Sequence, residues 1–127
     1  MKLSAACLAL GFVLPGIAAA QDIAAGERAF AKCRACHQVG EGARNLVGPE
    51  LNGLFGRKAG TVEGYSYTAA NKESGIVWDE ATFAEFIRNP RGVVPGTKMI
   101  FAGLRSEREI ADLIAFLKQF DAEGARR

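Results

Sequence analysis

The chain has 127 residues, of which 49% are hydrophobic and 24% are charged, and its formal net charge is +2. These values are typical of one ordinary globular domain and exclude a multidomain enzyme or a disordered chain. So small a net charge provides no basic surface for nucleic acid. The single histidine, His37, also excludes a zinc site built from several imidazoles.

Residues 1–20 have the features of an export signal. A positive charge precedes an apolar run from Leu3 to Leu14, and three consecutive alanines ending at Ala20 offer a cleavage site. The apolar run is too short to span a bilayer, which needs roughly 20 residues. We therefore expect cleavage near Ala20 and a mature domain, residues 21–127, that lies in the periplasm without stable membrane insertion.

Apolar periodicity predicts helices and no paired strands. The first helix runs from about Ile23 to Cys33, with Asp22 as its N-cap. From Gln38 to Tyr65 the chain is rich in glycine and lacks sustained alternation, which indicates turns and loops. A short helix follows over Thr68–Ser74 and stops at Gly75.

The next helix is capped by Asp79 and ends where residues 88–103 begin, a segment with prolines and glycines that is predicted to be a loop. Ser106 and Glu109 form a capping-box pattern for a last helix that extends to about Phe120. The fold is therefore predicted to be all-α. So much loop around so small a core indicates that the chain wraps an apolar group that its own residues do not provide.

A CxxCH sequence, CRACH, directly follows the first predicted helix. Its thiols, Cys33 and Cys36, can add to the two vinyl groups of one haem, while the imidazole of His37 comes beneath the iron as an axial ligand. A redox pair or a disulfide is the alternative, but no βαβ pattern is present and neither explains the histidine. A zinc site would have too few ligands, because the third cysteine, Cys7, is expected to be removed with the export signal. One covalent haem c is therefore predicted.

The second axial ligand is predicted to be Met99, the one methionine that remains after the signal is removed. A lone methionine more often fills a core than binds a metal. Met99, however, lies in an irregular segment beside Pro95 and Gly96, where it completes no helical face. A His/Met pair favours reduced iron and leaves no vacant site for oxygen or peroxide, which indicates an electron carrier and not an enzyme.

Three further segments carry a family resemblance: GPELNGLFGRKAG from Gly48, YSYTAANKESGIVW from Tyr65 and NPRGVVPGTKMIFAG from Asn89. With CRACH, they make nearly all of residues 22–121 resemble the class I c-type cytochromes, in particular mitochondrial cytochrome c and its close bacterial relatives. The resemblance implies the small fold of that class, with three main helices, a short helix and long loops wrapped around one covalent haem. It also implies a soluble, monomeric, periplasmic monohaem electron carrier.

The same resemblance assigns the site residues. His37 and Met99 are the axial ligands, Cys33 and Cys36 form the thioethers, and the carbonyl of Pro49 accepts a hydrogen bond from His37. The contacts to the haem propionates are expected from polar and aromatic residues of the later loops, namely Arg57, Tyr67 and Trp78 on the inner side, with Thr68 and Thr97 near the other. Without the resemblance, Trp78 would be interpreted as a residue of the hydrophobic core, and Arg57 would be interpreted as a solvated charge on a loop.

Two structural consequences also come from the resemblance. The first and last helices should cross, with Gly26 and Phe30 near Leu113 and Phe116. Phe86 departs from the family pattern, which usually has a tyrosine there whose hydroxyl contacts the methionine sulfur. Phe86 can only pack.

The expected partners are membrane redox complexes that meet the exposed haem edge. By analogy with the family, the donor is a cytochrome bc complex, and the acceptor is an oxidase of a respiratory chain or a photosynthetic reaction centre. Some positive charge stays near that edge, from Lys32, Arg91, Lys98 and Arg105, but the protein is nearly neutral, so docking should depend weakly on salt. A small peroxidase with Met99 displaced and a dedicated donor to one periplasmic enzyme are the alternative functions.

Overall fold

The computed structural model describes residue 2, residues 4–6, residue 9, residue 11 and residues 22–127. Cys7 and the predicted cleavage site at Ala20 lie outside the described residues, and so does most of the predicted signal segment. Within the described residues, no helix is long and apolar enough to cross a membrane.

In the part of the chain that the structure describes, five helices make up the regular structure, in agreement with the predicted all-α class. They are α1 (Ile23–Phe30), α2 (Ala69–Lys72), α3 (Glu80–Arg88), α4 (Pro90–Val93) and α5 (Glu107–Lys118). Among the described residues, β pairing is limited to isolated bridges between Lys58 and Val77 and between Phe120 and Arg126.

Helix α1 begins as predicted, with the side chain of Asp22 accepting a hydrogen bond from the amide of Ala25. It ends at Phe30, before the predicted end at Cys33. The reason is local, since the amides of residues 31–33 bond to carbonyls three residues back instead of four. This tighter winding ends the α-helix and leads directly into the CxxCH segment.

Helices α1 and α5 cross in close contact, as the resemblance implies. A side chain at Gly26 would overlap the backbone carbonyl of Asp112, so only glycine allows this approach. The rings of Phe30 and Phe116 lie 5.4 Å apart, and Phe30 is fully buried. The buried carboxylate of Asp112 also accepts a 2.9 Å hydrogen bond from the amide of Asp22, which ties the start of α1 to α5.

The caps of the later helices agree only partly with the predictions. Asp79 and Thr82 exchange hydrogen bonds in a complete capping box at the start of α3. Ser106 caps α5 by accepting from the amide of Glu109, but the carboxylate of Glu109 binds Lys32 at 2.6 Å and does not return to the cap. The capping box predicted for α5 is therefore only half formed.

Helix α4 lies inside the segment that was predicted to be entirely loop. Pro90 occupies its first position, where a helix needs no amide hydrogen, and Asn89 caps it by accepting from the amide of Gly92. The sequence prediction is wrong at residues 90–93 because it took the proline only as a stop signal. Helix α2 is also shorter than predicted, although Thr68 caps it.

Candidate functional site

A cavity of about 180 Å³ lies between the helices and the loops that connect them. All ten residues predicted to bind the haem line this cavity: Cys33, Cys36, His37, Pro49, Arg57, Tyr67, Thr68, Trp78, Thr97 and Met99. The structure thus brings together residues that are far apart in the sequence.

The two cysteines are free thiols in the turn that follows α1. The amides of Cys36 and His37 both donate to the carbonyl of Cys33, so the turn directs the thiols and the imidazole to the same cavity. Burial, and next the charge of Cys36, raises the pKa of the Cys33 thiol to about 11. The thiol is therefore protonated at neutral pH.

The imidazole of His37 is oriented by its backbone neighbours. Its Nδ1 lies 2.7 Å from the carbonyl oxygen of Pro49, which can only accept, so Nδ1 is the donor and Nε2 is left with its lone pair. A side chain at Gly48 would overlap the imidazole ring, so the backbone packs directly against it. Burial lowers the pKa of His37 despite the opposing effect of the Pro49 hydrogen bond. A neutral imidazole suited to binding a metal results.

Met99 lies on segment 97–101, at the far end of the sequence from the CxxCH turn. Its amide donates a 3.3 Å hydrogen bond to the hydroxyl of Thr97, whose own amide donates to Val94. The Met99 side chain is half-buried and packs on the hydrophobic core. The next residue, Ile100, is 86% exposed, which places this segment at the mouth of the cavity.

Arg57 is held by backbone carbonyls beside the cavity. Its two terminal nitrogens donate to the carbonyls of Asn52 and Glu50, at 3.0 and 3.1 Å. Burial lowers the pKa of Arg57, and the nearby carboxylate of Glu50, 3.6 Å away, opposes this. The guanidinium stays charged, because arginine is not deprotonated in proteins.

Tyr67 and Thr68 contribute hydroxyls with different capacities. The Tyr67 hydroxyl accepts a 3.0 Å hydrogen bond from the amide of Val62 and can still donate its own proton. Burial raises the pKa of Tyr67, so this proton is retained. The Thr68 hydroxyl caps α2 and lies 3.0 Å from the side-chain oxygen of Asn71, to which it donates. Tyr67 is therefore the freer donor toward the cavity.

Trp78 and Phe86 form an aromatic wall. Their rings are 5.1 Å apart in an edge-to-face arrangement, and both side chains are buried. This agrees with the expectation that Phe86 only packs. The backbone of Trp78 pairs with Gly56 and Arg57, which fixes the wall next to the arginine.

Sequence reasoning missed part of the cavity lining. Asn71 lies on α2 and contributes a side-chain amide to the cavity, while Phe83, Ile87 and Leu117 contribute apolar surface. The helical spacing of these apolar residues indicates a buried face, but a buried face packs against protein and against a cofactor alike. Asn71 could have been identified from its position, because it follows Thr68, a predicted site residue and the cap of α2, by about one helical turn.

The positively charged side chains that were predicted near the haem edge are partly engaged in contacts within the protein. Lys32 is paired with Glu109, and Lys98 donates to the carbonyl of Ser66 while it lies 4.5 Å from the centre of the Tyr65 ring. Lys98 also lines the cavity.

The donor set of the cavity fits a covalently bound haem. Two thiols and an imidazole come from one turn, a thioether comes from segment 97–101, and aromatic and aliphatic side chains provide the walls. The guanidinium of Arg57 and the hydroxyl of Tyr67 are suited to carboxylates. The described residues contain no group of three or more His, Cys, Asp or Glu side chains that could hold a metal ion.

Comparison with known proteins agrees with this chemistry. A family model described as Cytochrome c matches residues 23–121. The chain is 57% identical to cytochrome c2 of Blastochloris viridis over 110 residues, covering 87% of each chain. It is 62% identical to cytochrome c-550 of Bradyrhizobium diazoefficiens over 101 residues, covering 80% of this chain and 74% of that one. The solved structure of cytochrome cH from Methylobacterium extorquens is similar with a TM-score of 0.71 and 46% identity, over 76% of this chain and 97% of that one.

Proposed function

The chain belongs to the cytochrome c family, and we propose that it is a periplasmic carrier that passes single electrons between membrane redox complexes. As a member of that family it binds one haem c through Cys33 and Cys36, with His37 and Met99 as iron ligands. The bound iron supplies a one-electron couple between its ferrous and ferric states.

The observation that carries this function is that His37 and Met99 line one cavity. His37 offers a neutral nitrogen and Met99 a soft thioether, and together they would hold the iron of a bound haem. Iron held by both residues would have no vacant position for oxygen or peroxide, and the chemistry left to it would be the gain and loss of an electron. The protein therefore acts by electron transfer, and the other residues of the site orient the ligands and exclude water.

The remaining site residues have supporting roles in this proposal. Pro49 orients His37 through its carbonyl, and Arg57 and Tyr67 provide a positive charge and a donor for the propionates. Trp78 adds its indole and packing, and Thr68 and Thr97 add hydroxyls near the second propionate. Each role is supported by a position on the cavity wall.

The partners in this proposal are a cytochrome bc complex on the donor side and an oxidase or a reaction centre on the acceptor side. An export signal over residues 1–20, removed near Ala20, places the mature chain in the periplasm with them. Val47 and Ile100 line the cavity and are 72% and 86% exposed, so apolar contact is available at its mouth. With Lys32 paired, docking is expected to be short-lived and weakly dependent on salt.

The test is the visible spectrum of the purified holoprotein. We expect a six-coordinate low-spin haem in both redox states, with the weak far-red sulfur-to-iron band in the ferric protein. Substantial peroxide turnover or rapid carbon monoxide binding by the untreated protein would contradict the electron-carrier function and favour a haem enzyme. Deleting the gene and measuring respiratory and photosynthetic flux would separate a general carrier from a donor dedicated to one enzyme.

A further inference from the structure

Two backbone segments lie side by side next to the imidazole of His37. Residues 36–40 contact residues 48–52 at four successive points. The amide of Gly48 donates to Cys36 at 2.8 Å, and the imidazole of His37 donates to Pro49 at 2.7 Å. The carbonyl that holds the imidazole is therefore one member of a longer row of hydrogen bonds.

Asn52 closes this row. Its side-chain oxygen accepts from the amide of Gly40 at 2.8 Å, and its side-chain nitrogen donates to the carbonyl of Gly40 at 2.9 Å. The amide of Leu51 donates to Gln38 at 3.0 Å between this pair and Pro49. Asn52 is only 7% exposed and binds both backbone groups of Gly40, whose carbonyl also accepts from the amide of Ala43 at 3.2 Å.

The C-terminal turn, residues 119–127, covers this pair of hydrogen bonds. Gly124 is buried against Gly40 and Asn52, and a side chain there would overlap the Gly40 carbonyl. Its φ of 82° is also in the left-handed region that favours glycine. The amide of Gly53 donates to Phe120 at 3.2 Å, which joins the residue after Asn52 to the same turn.

The C-terminal turn is itself closed by hydrogen bonds. The amide of Asp121 donates to Ala125 at 3.0 Å, and the amide of Arg127 donates to Gln119 at 2.7 Å. The carboxylate of Asp121 accepts from the guanidinium of Arg127 at 2.7 Å. The turn is therefore an ordered cover over Asn52.

We propose that Asn52, held in place by the C-terminal turn, is a positioning residue for the hydrogen bond between His37 and Pro49. The inference rests on the proposed function, because it assigns to Asn52 an effect on the axial ligand of an electron carrier. Loss of Asn52 would let residues 48–52 move relative to residues 36–40. A weaker hydrogen bond to Pro49 makes the imidazole a poorer donor to ferric iron, so the reduction potential rises.

The experiment compares the holoprotein with three variants, Asn52→Ala, Gly124→Ala and Thr82→Ala. Thr82 belongs to the capping box of α3, outside both the cavity lining and the row of hydrogen bonds, so Thr82→Ala controls for a general loss of stability. The readouts are the exchange rate of the His37 Nδ1 proton, measured by NMR on the reduced protein, and the reduction potential.

Asn52→Ala and Gly124→Ala should each raise the exchange rate about fivefold, the effect of losing one ordinary hydrogen bond, and should shift the potential upward. Thr82→Ala should change neither. The proposal would be overturned if Asn52→Ala and Gly124→Ala kept the proton exchange rate and the reduction potential of the wild-type protein. If Asn52→Ala does not yield folded holoprotein, the measurements on Gly124→Ala decide. A failure of the proposed function would instead appear in the spectrum of the wild-type protein.

Discussion

The histidine side of the cavity is joined to its neighbour by a row of hydrogen bonds between residues 36–40 and 48–52, and the imidazole belongs to that row. The methionine side, residues 97–101, has far less support. Within the described chain, its hydrogen bonds come from the amide of Thr97, the amide of Met99 and the ammonium group of Lys98. The histidine is oriented before any metal arrives, whereas the methionine depends more on its bond to the iron.

Met99→Ala should produce the largest change in the spectrum and in the reduction potential, and this change should be confined to the methionine side. The protein should still attach haem through Cys33 and Cys36, but the far-red band should disappear. The reduction potential should fall by on the order of 0.1 V, because axial ligands set potentials over a range of about 0.8 V. Spectra and potentiometry measure both. Failure to recover coloured protein would show that the methionine side is needed for assembly as well.

Gly48→Ala tests the histidine side. The added carbon would overlap the imidazole of His37, so the ring or the backbone must move. We expect a loss of about 1–3 kcal/mol in the free energy of unfolding, the usual range for overpacking. Denaturant titration of the holoprotein measures it. The neighbouring Val47→Ala, at a 72% exposed residue, should lose much less, and equal losses would contradict the direct packing.

Thr97→Val should loosen the methionine side without removing the ligand. The substitution removes the hydroxyl that accepts from the amide of Met99, a bond worth about 1 kcal/mol. Added imidazole should therefore displace Met99 about fivefold more readily from the ferric protein, as followed by loss of the far-red band. Thr61→Val removes an exposed hydroxyl that donates to Lys58 and serves as the control. Equal imidazole affinities in the two variants would show that the Thr97 hydroxyl does not hold Met99.

Acid should produce the smallest effect, and on the histidine side it should act through Asp121. The hydrogen bond from Arg127, and next that from the amide of Ala125, lowers the pKa of Asp121. A lowered pKa in the folded state gives stability that is present above the ordinary value of about 4 and is lost as the pH falls through the lowered value. Amide exchange at Ala125 should therefore speed up in acid. Asp121→Asn should remove that pH dependence, and its persistence would assign it to another group.

The sequence predicts this site best where a local pattern has one chemical meaning. CxxCH identifies Cys33, Cys36 and His37 because covalent haem explains both the spacing and the histidine. Helices α1, α3 and α5 are predictable because caps and apolar spacing act within a few residues. Helix α4 is missed because Pro90 both ends one helix and starts the next.

Longer-range relations were beyond sequence reasoning. Arg57 is predicted as a contact to the haem, but its carbonyl partners in Glu50 and Asn52 depend on how the loop folds. The pairing of Asn52 with Gly40 lies under the C-terminal turn, which follows α5 and is distant from both residues in the sequence. The half-formed cap of α5 has the same origin, because Lys32 competes for Glu109 across the helix crossing.

The crossing of α1 and α5 also determines how the domain would respond to a mechanical load. The two helices lie near opposite ends of the domain sequence, and the amide of Asp22 is bound to Asp112 where they meet. A force pulling those ends apart would act on the C-terminal turn and this helix pair before it reaches segment 97–101. Leu113 and Leu117 of α5 line the cavity, so stretching the molecule would open the haem site from its helical side first.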